Sequence, residues 1–532
     1  MKLNNLWGTS RSSGVKMGMI VRIGLALLAV VTVAGIALGL TLTRVHHNAH
    51  ASGPLPPGPV NTTWYFAEGR VGGGAAESLA LSNPDPVNTC SVKIRYFYQL
   101  DGGTSITSTV TVSIPPVTRL TESVNTDLSI AITQTPAASV AAIVTVNPTP
   151  TCNGIVAERP MQSNHNNIKS GSDVMGATHL GTTFYFPDVP NGGAFSSFFA
   201  VLNPPTGNAA TVTVNYYANG ALVGTQKKTI ASGTRGTIFP SNLTGLPQRV
   251  AAVVTSTQPI LVERSDSFSV LNAGVAGAVS GAATVVGSQT TANDWLFDEG
   301  NTGGKFQEYL IIANVDLTHA ANVTINLEYK DGTTHSFPVT VNAESQLIWD
   351  VNANGVGGTT SAVSAEITST GANIIAEREI FFKYSHLVNN FKVTASGGTE
   401  AIGQIGPAIA TTYSFADGYT HNGYDEVLTL QNPTAATEVI SVTLTDGYGR
   451  VYNTAFHVLA HARSTVDITA IVQLHMVQPG DDDRVYQVSM TVQTTVTGAV
   501  FLAERVTYWN SNLIGDPNPT QGATDVFGYT GG

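Results

Sequence analysis

Short runs of alternating apolar and polar residues, separated by glycine, proline and asparagine, fill the chain from residue 61 onward. A two-residue period is typical of β-strands, because successive side chains of a strand point to opposite faces. No helical period persists there for more than a turn. Between residues 291 and 381 the pattern predicts seven strands, at Trp295–Phe297, Tyr309–Asn314, Asn322–Tyr329, His335–Val341, Gln346–Asp350, Val363–Ile367 and Asn373–Phe381.

The pattern belongs to a repeat that occurs four times. Each copy opens on an aromatic motif: Trp64-Tyr65-Phe66-Ala67-Glu68-Gly69, Phe184-Tyr185-Phe186-Pro187-Asp188, Trp295-Leu296-Phe297-Asp298-Glu299-Gly300 and Tyr413-Ser414-Phe415-Ala416-Asp417-Gly418. Seventeen residues after the phenylalanine stands an asparagine: Asn83, Asn203, Asn314 and Asn432. Each copy closes on an apolar run and a Glu-Arg pair: Glu158-Arg159, Glu263-Arg264, Glu377-Arg378 and Glu504-Arg505.

A turn signal in every copy lies between the third and fourth predicted strands, at Asp101-Gly102, Asn219-Gly220, Asp331-Gly332 and Asp446-Gly447. Seven short strands in about 90 to 100 residues fit an immunoglobulin-like β-sandwich. Propeller blades of about 40 to 50 residues are too small for this repeat. The sequence therefore predicts an all-β protein with four tandem immunoglobulin-like β-sandwich domains, at residues 61–180, 181–290, 291–410 and 411–532.

The segments between repeats are rich in glycine, alanine and serine, and each contains an apolar pair followed by glycine: Val174-Met175-Gly176, Val285-Val286-Gly287, Ala401-Ile402-Gly403 and Val526-Phe527-Gly528. A repeated apolar pair indicates a segment that packs on its own domain as an extra edge strand. A flexible linker is the alternative.

The first 60 residues have a different composition. Residues 1–22 carry lysine and arginine without acids and precede an apolar run, 23–42, long enough to cross a bilayer as a helix. Positive charge before the span predicts a cytoplasmic N-terminus and a single-pass plasma-membrane protein with its repeats outside. Residues 43–60 form a proline-rich spacer. The alternative is a signal peptide cleaved after Ala51, which would give a secreted protein.

The opening motif Trp64-Tyr65-Phe66-Ala67-Glu68-Gly69, the Asn-Pro pair and the closing Ala157-Glu158-Arg159-Pro160-Met161 resemble a tandem repeat of bacterial exported and cell-surface proteins. The resemblance covers residues 61 to 528. It implies a β-rich extracytoplasmic module of uncharacterised function, with no activity to transfer. The second repeat departs from the pattern, with Pro187 and Val189 beside its acid.

Charge restricts the partners. Only 11% of residues are charged and the net charge is -11, spread over the length. These values argue against binding to nucleic acid or to an anionic membrane surface.

The charged residues that do recur call for partners. Each closing arginine follows a run that is apolar on both faces, so it should be buried, and an unpaired buried ion costs several kcal/mol. We expect the opening acid, closing glutamate and closing arginine of each repeat to form one structural ion cluster that joins the first strand to the last. The residues are Glu68, Glu158, Arg159, Asp188, Glu263, Arg264, Glu299, Glu377, Arg378, Asp417, Glu504 and Arg505.

Binding of calcium between domains is the alternative role for these acids. A calcium ion takes about six to eight oxygen ligands, and carboxylates on adjacent loops can supply them. Its candidate ligands are Glu68, Glu77, Glu299, Glu308, Asp417 and Glu426. No segment has the spacing of a calcium loop, so no metal site and no cofactor is assigned.

Cys90 and Cys152 are the two cysteines of the chain, and both lie in the first repeat. An even count in an exported domain favours a disulfide between them.

No catalytic motif is present, and acids that recur in every repeat are typical of structural roles, so we do not expect an enzyme. The sequence favours a membrane-anchored structural or adhesive protein that acts as a surface stalk or spacer. Its partners would be the membrane, through residues 23–42, and surface glycans or other surface proteins. The alternative is a carbohydrate-binding array whose aromatic platform would use third-strand tyrosines, Tyr96, Tyr98, Tyr216, Tyr217 and Tyr329.

Overall fold

A computed structural model describes residues 57–147, 152–165, 168–271, 273–275, 277–355, 361–388, 391–512 and 519–531. The predicted cytoplasmic segment, membrane helix and most of the spacer lie outside these residues. None of the helices within the described ranges is long and apolar enough to cross a membrane.

Within the described ranges the chain is all-β, as predicted, with 34 strands whose pairings are all antiparallel. The first repeat has ten strands: β1 (Thr63–Phe66), β2 (Arg70–Val71), β3 (Ala75–Asn83), β4 (Cys90–Leu100), β5 (Ser105–Ile114), β6 (Thr118–Ser123), β7 (Ala138–Val146), β8 (Val156–Glu158), β9 (Met161–His165) and β10 (Ile168–Ser172). The second has seven: β11 (Gly181–Pro190), β12 (Phe195–Asn203), β13 (Ala210–Ala218), β14 (Ala221–Ile230), β15 (Thr234–Ile238), β16 (Arg249–Leu271) and β17 (Ala278–Val286).

The third repeat has nine strands: β18 (Asp294–Phe297), β19 (Phe306–Asn314), β20 (Ala321–Tyr329), β21 (Thr334–Val341), β22 (Ser345–Asp350), β23 (Val363–Thr370), β24 (Ile375–Val388), β25 (Phe391–Ile402) and β26 (Gln404–Ile405). The fourth has eight: β27 (Thr412–Phe415), β28 (Tyr424–Asn432), β29 (Glu438–Asp446), β30 (Val451–Val458), β31 (Ala462–Asp467), β32 (Val488–Thr494), β33 (Leu502–Asn512) and β34 (Pro519–Phe527). The seven strands predicted for the third repeat all occur, and the largest extension is in β24, which continues to Val388 to pair with β25.

Two sheets make up each repeat. In the fourth repeat their strand orders are β27-β32-β29-β30 and β31-β28-β33-β34, and the other repeats follow the same plan. In the second repeat the 23-residue strand β16 serves both sheets in turn. The plan differs from immunoglobulin order, in which the seventh strand lies beside the sixth. In the fourth repeat the seventh strand, β33, lies beside the second, β28, so the repeat is a β-sandwich whose strand order is not that of an immunoglobulin domain.

A hydrophobic core fills the space between the two sheets of each repeat, and a few residues of a neighbouring repeat join it, such as Ala416 in the core of the first repeat. In the third repeat Trp295, Leu310 and Ile325 belong to this core. Smaller apolar clusters lie between repeats: Phe268 meets Phe381 between the second and third, and Phe382 meets Tyr508 between the third and fourth.

The segments after the Glu-Arg pairs are the strands β10, β17, β25 and β34, each paired with the strand before it. The glycine that follows the apolar pair lies against the phenylalanine of the opening motif. A Cβ on Gly403 would stand 2.6 Å from the ring of Phe297, and Gly176, Gly287 and Gly528 are similarly placed. This close approach explains the repeated glycine.

The repeated asparagine is the last residue of β3, β12, β19 and β28 and is fully buried. The Nδ2 of Asn314 donates to the carbonyls of His319 and Val341, at 2.8 and 3.1 Å. Asn83, Asn203 and Asn432 make equivalent bonds. The asparagine therefore ties its own strand to the hairpin formed by the next two strands.

Short helices follow β6, β22 and β31 and were not predicted, because one or two turns leave little periodicity. They are α1 (Val124–Asp127), α2 (Val351–Asn354) and α3 (Ile468–His475), with 3-10 turns at Pro240–Asn242, Gly406–Ala408 and Asp483–Tyr486. Ser123, Asp350 and Asp467 cap the helices by accepting a backbone N–H.

Candidate functional site: an ion network that joins the four repeats

The closing arginine of each repeat lies on the inner side of its own sandwich and is fully buried. Arg378 donates to the backbone carbonyl of Glu299 at 2.8 Å and lies over the ring of Phe297, 5.6 Å from its centroid. Arg159, Arg264 and Arg505 donate to the carbonyls of their own opening acids in the same way.

The charge partner of each arginine is the closing glutamate of the next repeat. The Nη–Oε distances are 2.8 Å for Arg159–Glu263, 2.6 Å for Arg264–Glu377, 2.5 Å for Arg378–Glu504 and 2.7 Å for Arg505–Glu158. The last pair joins the fourth repeat to the first. The four repeats therefore form a closed ring.

This arrangement corrects the predicted cluster within a single repeat. The Glu299 carboxylate does not pair with Arg378. The contact between these two residues is the hydrogen bond from Arg378 to the Glu299 backbone carbonyl. Adjacent residues of a strand point to opposite faces, so Glu377 points out of its repeat while Arg378 points inward. The outward glutamate meets the preceding repeat: Glu504, for example, accepts the Glu299 N–H at 3.0 Å.

Three of the opening acids pair with arginines of the next repeat, on β6, β15 and β31, and these partners were not predicted. Glu68 pairs with Arg235, Glu299 with Arg463 at 2.5 Å, and Asp417 with Arg119. All three arginines stand opposite the residue before the repeated asparagine. That shared position was a signal in the sequence, but strand register is needed to recognise it.

The joint between the second and third repeats is built differently. The equivalent position holds Gln346, which donates to the Asp188 carboxylate at 2.7 Å. Arg249 supplies the missing charge: it pairs with Asp188 and with Glu379 of the third repeat, both at 2.8 Å. A residue of the second repeat thus replaces the arginine that the third repeat lacks.

The strands β10, β17, β25 and β34 pack around the ring axis, each against two of the others. They carry a second set of carboxylates: Asp173 pairs with Arg505, Glu400 with Arg264 and Asp525 with Arg378. In the second repeat the residue equivalent to these carboxylates is Thr284, which carries no charge. The arginine that pairs with the second repeat is Arg159, and its Nη2 makes no hydrogen bond among the described residues. The cavity between these strands holds about 10 Å³, room for about one water molecule.

Burial is strong enough to change protonation in this network. Burial raises the pKa of Glu77, Glu308 and Glu426 to about 8, against the weaker opposing effect of the nearby arginines. Burial is the largest single influence on Glu504 and would raise its pKa, but the charge of Arg378 and the hydrogen bonds from Arg378, Asp298 and the Glu299 N–H together lower that pKa below its ordinary value.

The three high-pKa glutamates also explain the glycine of the opening motif. A Cβ on Gly300 would stand 2.9 Å from the Glu308 carboxylate, and Gly69 and Gly418 lie equally close to Glu77 and Glu426. In the second repeat Val189 replaces the glycine and Ser197 replaces the glutamate. The shorter side chain of the serine leaves room for the larger side chain of the valine.

The proposed calcium ligands do not converge. Glu68, Glu299 and Asp417 are engaged by arginines, whereas Glu77, Glu308 and Glu426 lie beneath the opening loops. Within the described ranges, one group of three side chains has the proximity that a metal ion requires, and it consists of His386, Asp425 and Asp467.

Cys90 and Cys152 form a disulfide with Cα atoms 5.3 Å apart, and both belong to the core of the first repeat. The disulfide predicted from the two cysteines is therefore present.

The tyrosines considered for a carbohydrate platform mostly point inward. Tyr96, Tyr216, Tyr217 and Tyr329 are buried, and only Tyr98 among the five is half-buried.

Comparison with known proteins identifies no family. No protein-family model matches the chain, and no curated protein does. The crystal structure of Thermotoga maritima 1070 aligns with 22% of this chain and 96% of its own, at 17% identity and a TM-score of 0.18. The crystal structure of a tetra-tandem repeat in the extending region of a large adhesion protein aligns with 82% of this chain and 92% of its own, at 11% identity and a TM-score of 0.10. Both scores are too low to carry an argument about fold or function.

Proposed function

We propose that this is an exported, N-terminally anchored surface protein with a structural or adhesive role, in which four β-sandwich repeats act as one closed head. The observation that carries the proposal is the ion pair between Arg505 and Glu158, 2.7 Å apart and fully buried. A stalk made of repeats in a row would keep its first and last members apart. The predicted stalk or spacer role of the repeats is therefore replaced by that of a compact head.

The use of the acids supports a non-catalytic role. The closing glutamates and the opening acids of all four repeats are committed to ion pairs or hydrogen bonds between repeats. Side chains used in this way hold neighbouring repeats together, which is a structural role. A head stabilised in this way presents four sets of exposed loops on one rigid body, which suits multivalent contact with a cell surface or matrix.

Solution scattering tests the closed head directly. A compact chain of the described length has a radius of gyration of about 23 Å, and four repeats in a row would give roughly twice that value. We expect the exported part, from Ser52 onward, to give the smaller value. A rod-like scattering curve would refute the closed head.

Binding assays test the role. The same protein would be applied to intact bacterial cells, to extracellular-matrix proteins and to a glycan panel. Binding to cells or matrix proteins that increases with clustering supports an adhesive role. Binding to glycans alone would favour the carbohydrate-binding alternative, and no binding to any surface would leave a purely structural role.

A further inference from the structure

We propose that His386, Asp425 and Asp467 form a binding site for a divalent transition-metal ion at the joint between the third and fourth repeats. Their ligand atoms all lie within 4.8 Å of one another. His386 comes from the end of β24 in the third repeat, whereas Asp425 and Asp467 come from β28 and β31 of the fourth. An ion there would link two repeats.

Asp425 provides the observation that points to a ligand. Its side chain is fully buried, and its Oδ2 is 2.7 Å from the Nδ1 of His386 and also accepts the hydroxyl of Tyr384. Its Oδ1 is buried and has no hydrogen-bond partner among the residues that the structure describes. Buried carboxylate oxygens are rarely left unsatisfied, and a metal ion would satisfy this one.

The residues around Asp425 resemble the support that metal ligands usually have. The Tyr384 ring stacks on Tyr508, with centroids 3.7 Å apart and planes at 3°, which fixes the hydroxyl that orients Asp425. Hydrogen bonds from such outer groups hold ligands in position. Asp467 is fixed as well, because its carboxylate caps α3 by accepting the Ala470 N–H at 2.7 Å.

The site is a departure from the fourfold repeat. In the third repeat the equivalent residues are Gln307 and Asp350, and they form a 2.8 Å hydrogen bond between amide and carboxylate. The fold therefore does not require a second acid at this point. Replacing the amide by Asp425 places two carboxylates together, a combination that a cation stabilises.

The ligand set indicates the class of metal. One imidazole and two carboxylates suit zinc or a similar first-row divalent ion better than calcium, which takes six to eight oxygens. The His386 side chain is 42% exposed, so an ion can reach the site from solvent and keep bound water.

Zinc binding by the full chain tests the proposal. Every variant would carry alanine at His46, His47 and His50, so that the histidines near the membrane cannot contribute. The metal-free chain is titrated with Zn²⁺ by calorimetry, and the zinc content is measured after dialysis. We expect one tightly bound ion per chain, and at least a tenfold loss of affinity in both His386→Ala and Asp467→Asn. Asparagine caps helices as well as aspartate does, so Asp467→Asn should keep α3.

Asp350→Asn is the matched control, because Asp350 caps α2 at the equivalent place in the third repeat. It should bind zinc like the parent. X-ray absorption of the zinc-loaded chain should show one nitrogen and the remaining ligands oxygen. Absence of zinc binding, or equal binding by the parent, His386→Ala and Asp467→Asn, would overturn the proposal and leave a His386–Asp425 ion pair only.

Discussion

Arg505 and Glu158 are 347 residues apart in sequence, yet their side chains meet at 2.7 Å in a fully buried ion pair. Glu158 also accepts the backbone N–H groups of Ala416 and Asp417. The third repeat joins the fourth through the corresponding pair, Arg378 and Glu504, and Glu504 accepts the backbone N–H of Glu299. The contact that closes the ring is therefore chemically equivalent to the contacts within it.

Removal of the closing charge should open the ring. Arg505→Met leaves Glu158 and Asp173 buried without their cation, so we expect a loss of about 3 to 5 kcal/mol in unfolding free energy and a larger radius of gyration. Denaturant unfolding and solution scattering measure the two effects.

Arg70→Met is the control for this substitution, because Arg70 forms an exposed pair with Asp101. Exposed pairs contribute about 0 to 1 kcal/mol. Equal, small effects of the two substitutions would contradict a ring held by buried charge.

The joint between the second and third repeats should depend on Arg249 more than on the fifth strand. Arg249→Met leaves the carboxylates of Asp188 and Glu379 without their arginine partner and should lower the free energy of unfolding by about 3 kcal/mol or more. Gln346→Arg restores the arginine found at this position in other repeats and should recover part of the loss in the double variant. A double-mutant cycle on unfolding free energies measures the coupling, and strictly additive effects would show that Arg249 and Gln346 do not share Asp188.

Stability should fall as pH rises through the neutral range. Glu308 has a folded-state pKa of about 8, above its value in the unfolded chain, so the folded state holds more protons between about pH 4.5 and 8. The stabilising contribution is complete below that window and is lost as pH rises through it.

Glu308→Gln carries a neutral amide in place of the protonated acid and should remove its share of this dependence. We expect little change in unfolding free energy at pH 5 and a gain of about 2 kcal/mol or more at pH 9. The natural Ser197 of the second repeat shows that a neutral side chain is accepted at this position. A parallel pH profile for the variant and the parent would contradict a buried, protonated Glu308.

The disulfide should stabilise the first repeat and, through the ring, the whole head. Closing a loop of 62 residues contributes about 4 kcal/mol in the chain-entropy model. Cys90→Ala with Cys152→Ala should lower the free energy of unfolding by an amount of that order, and reductant should then have no further effect. Alanine at Ala210 and Ala321 in other repeats makes Cys90→Ala a substitution that the fold accommodates. An unchanged unfolding curve in reductant would show that the bond adds nothing.

Local pattern was sufficient for much of the fold. Alternation located the strands of the third repeat to within a few residues, except at the long end of β24, and the repeated apolar pairs indicated the extra edge strands. The order of the strands was not predicted. A strand such as β33 is apolar on both faces, and its pattern does not specify whether it pairs with β28 or with β32.

The sequence alone determined that the closing arginines are buried and need partners, because each follows an apolar run and an isolated buried charge is too costly. It could not determine which partners. With four nearly identical copies of the motif, Glu377 and Glu504 are equivalent candidates for Arg378. Only the tertiary structure decided between them, because alternation along the strand turns each glutamate out of its own repeat and toward the arginine of the preceding one.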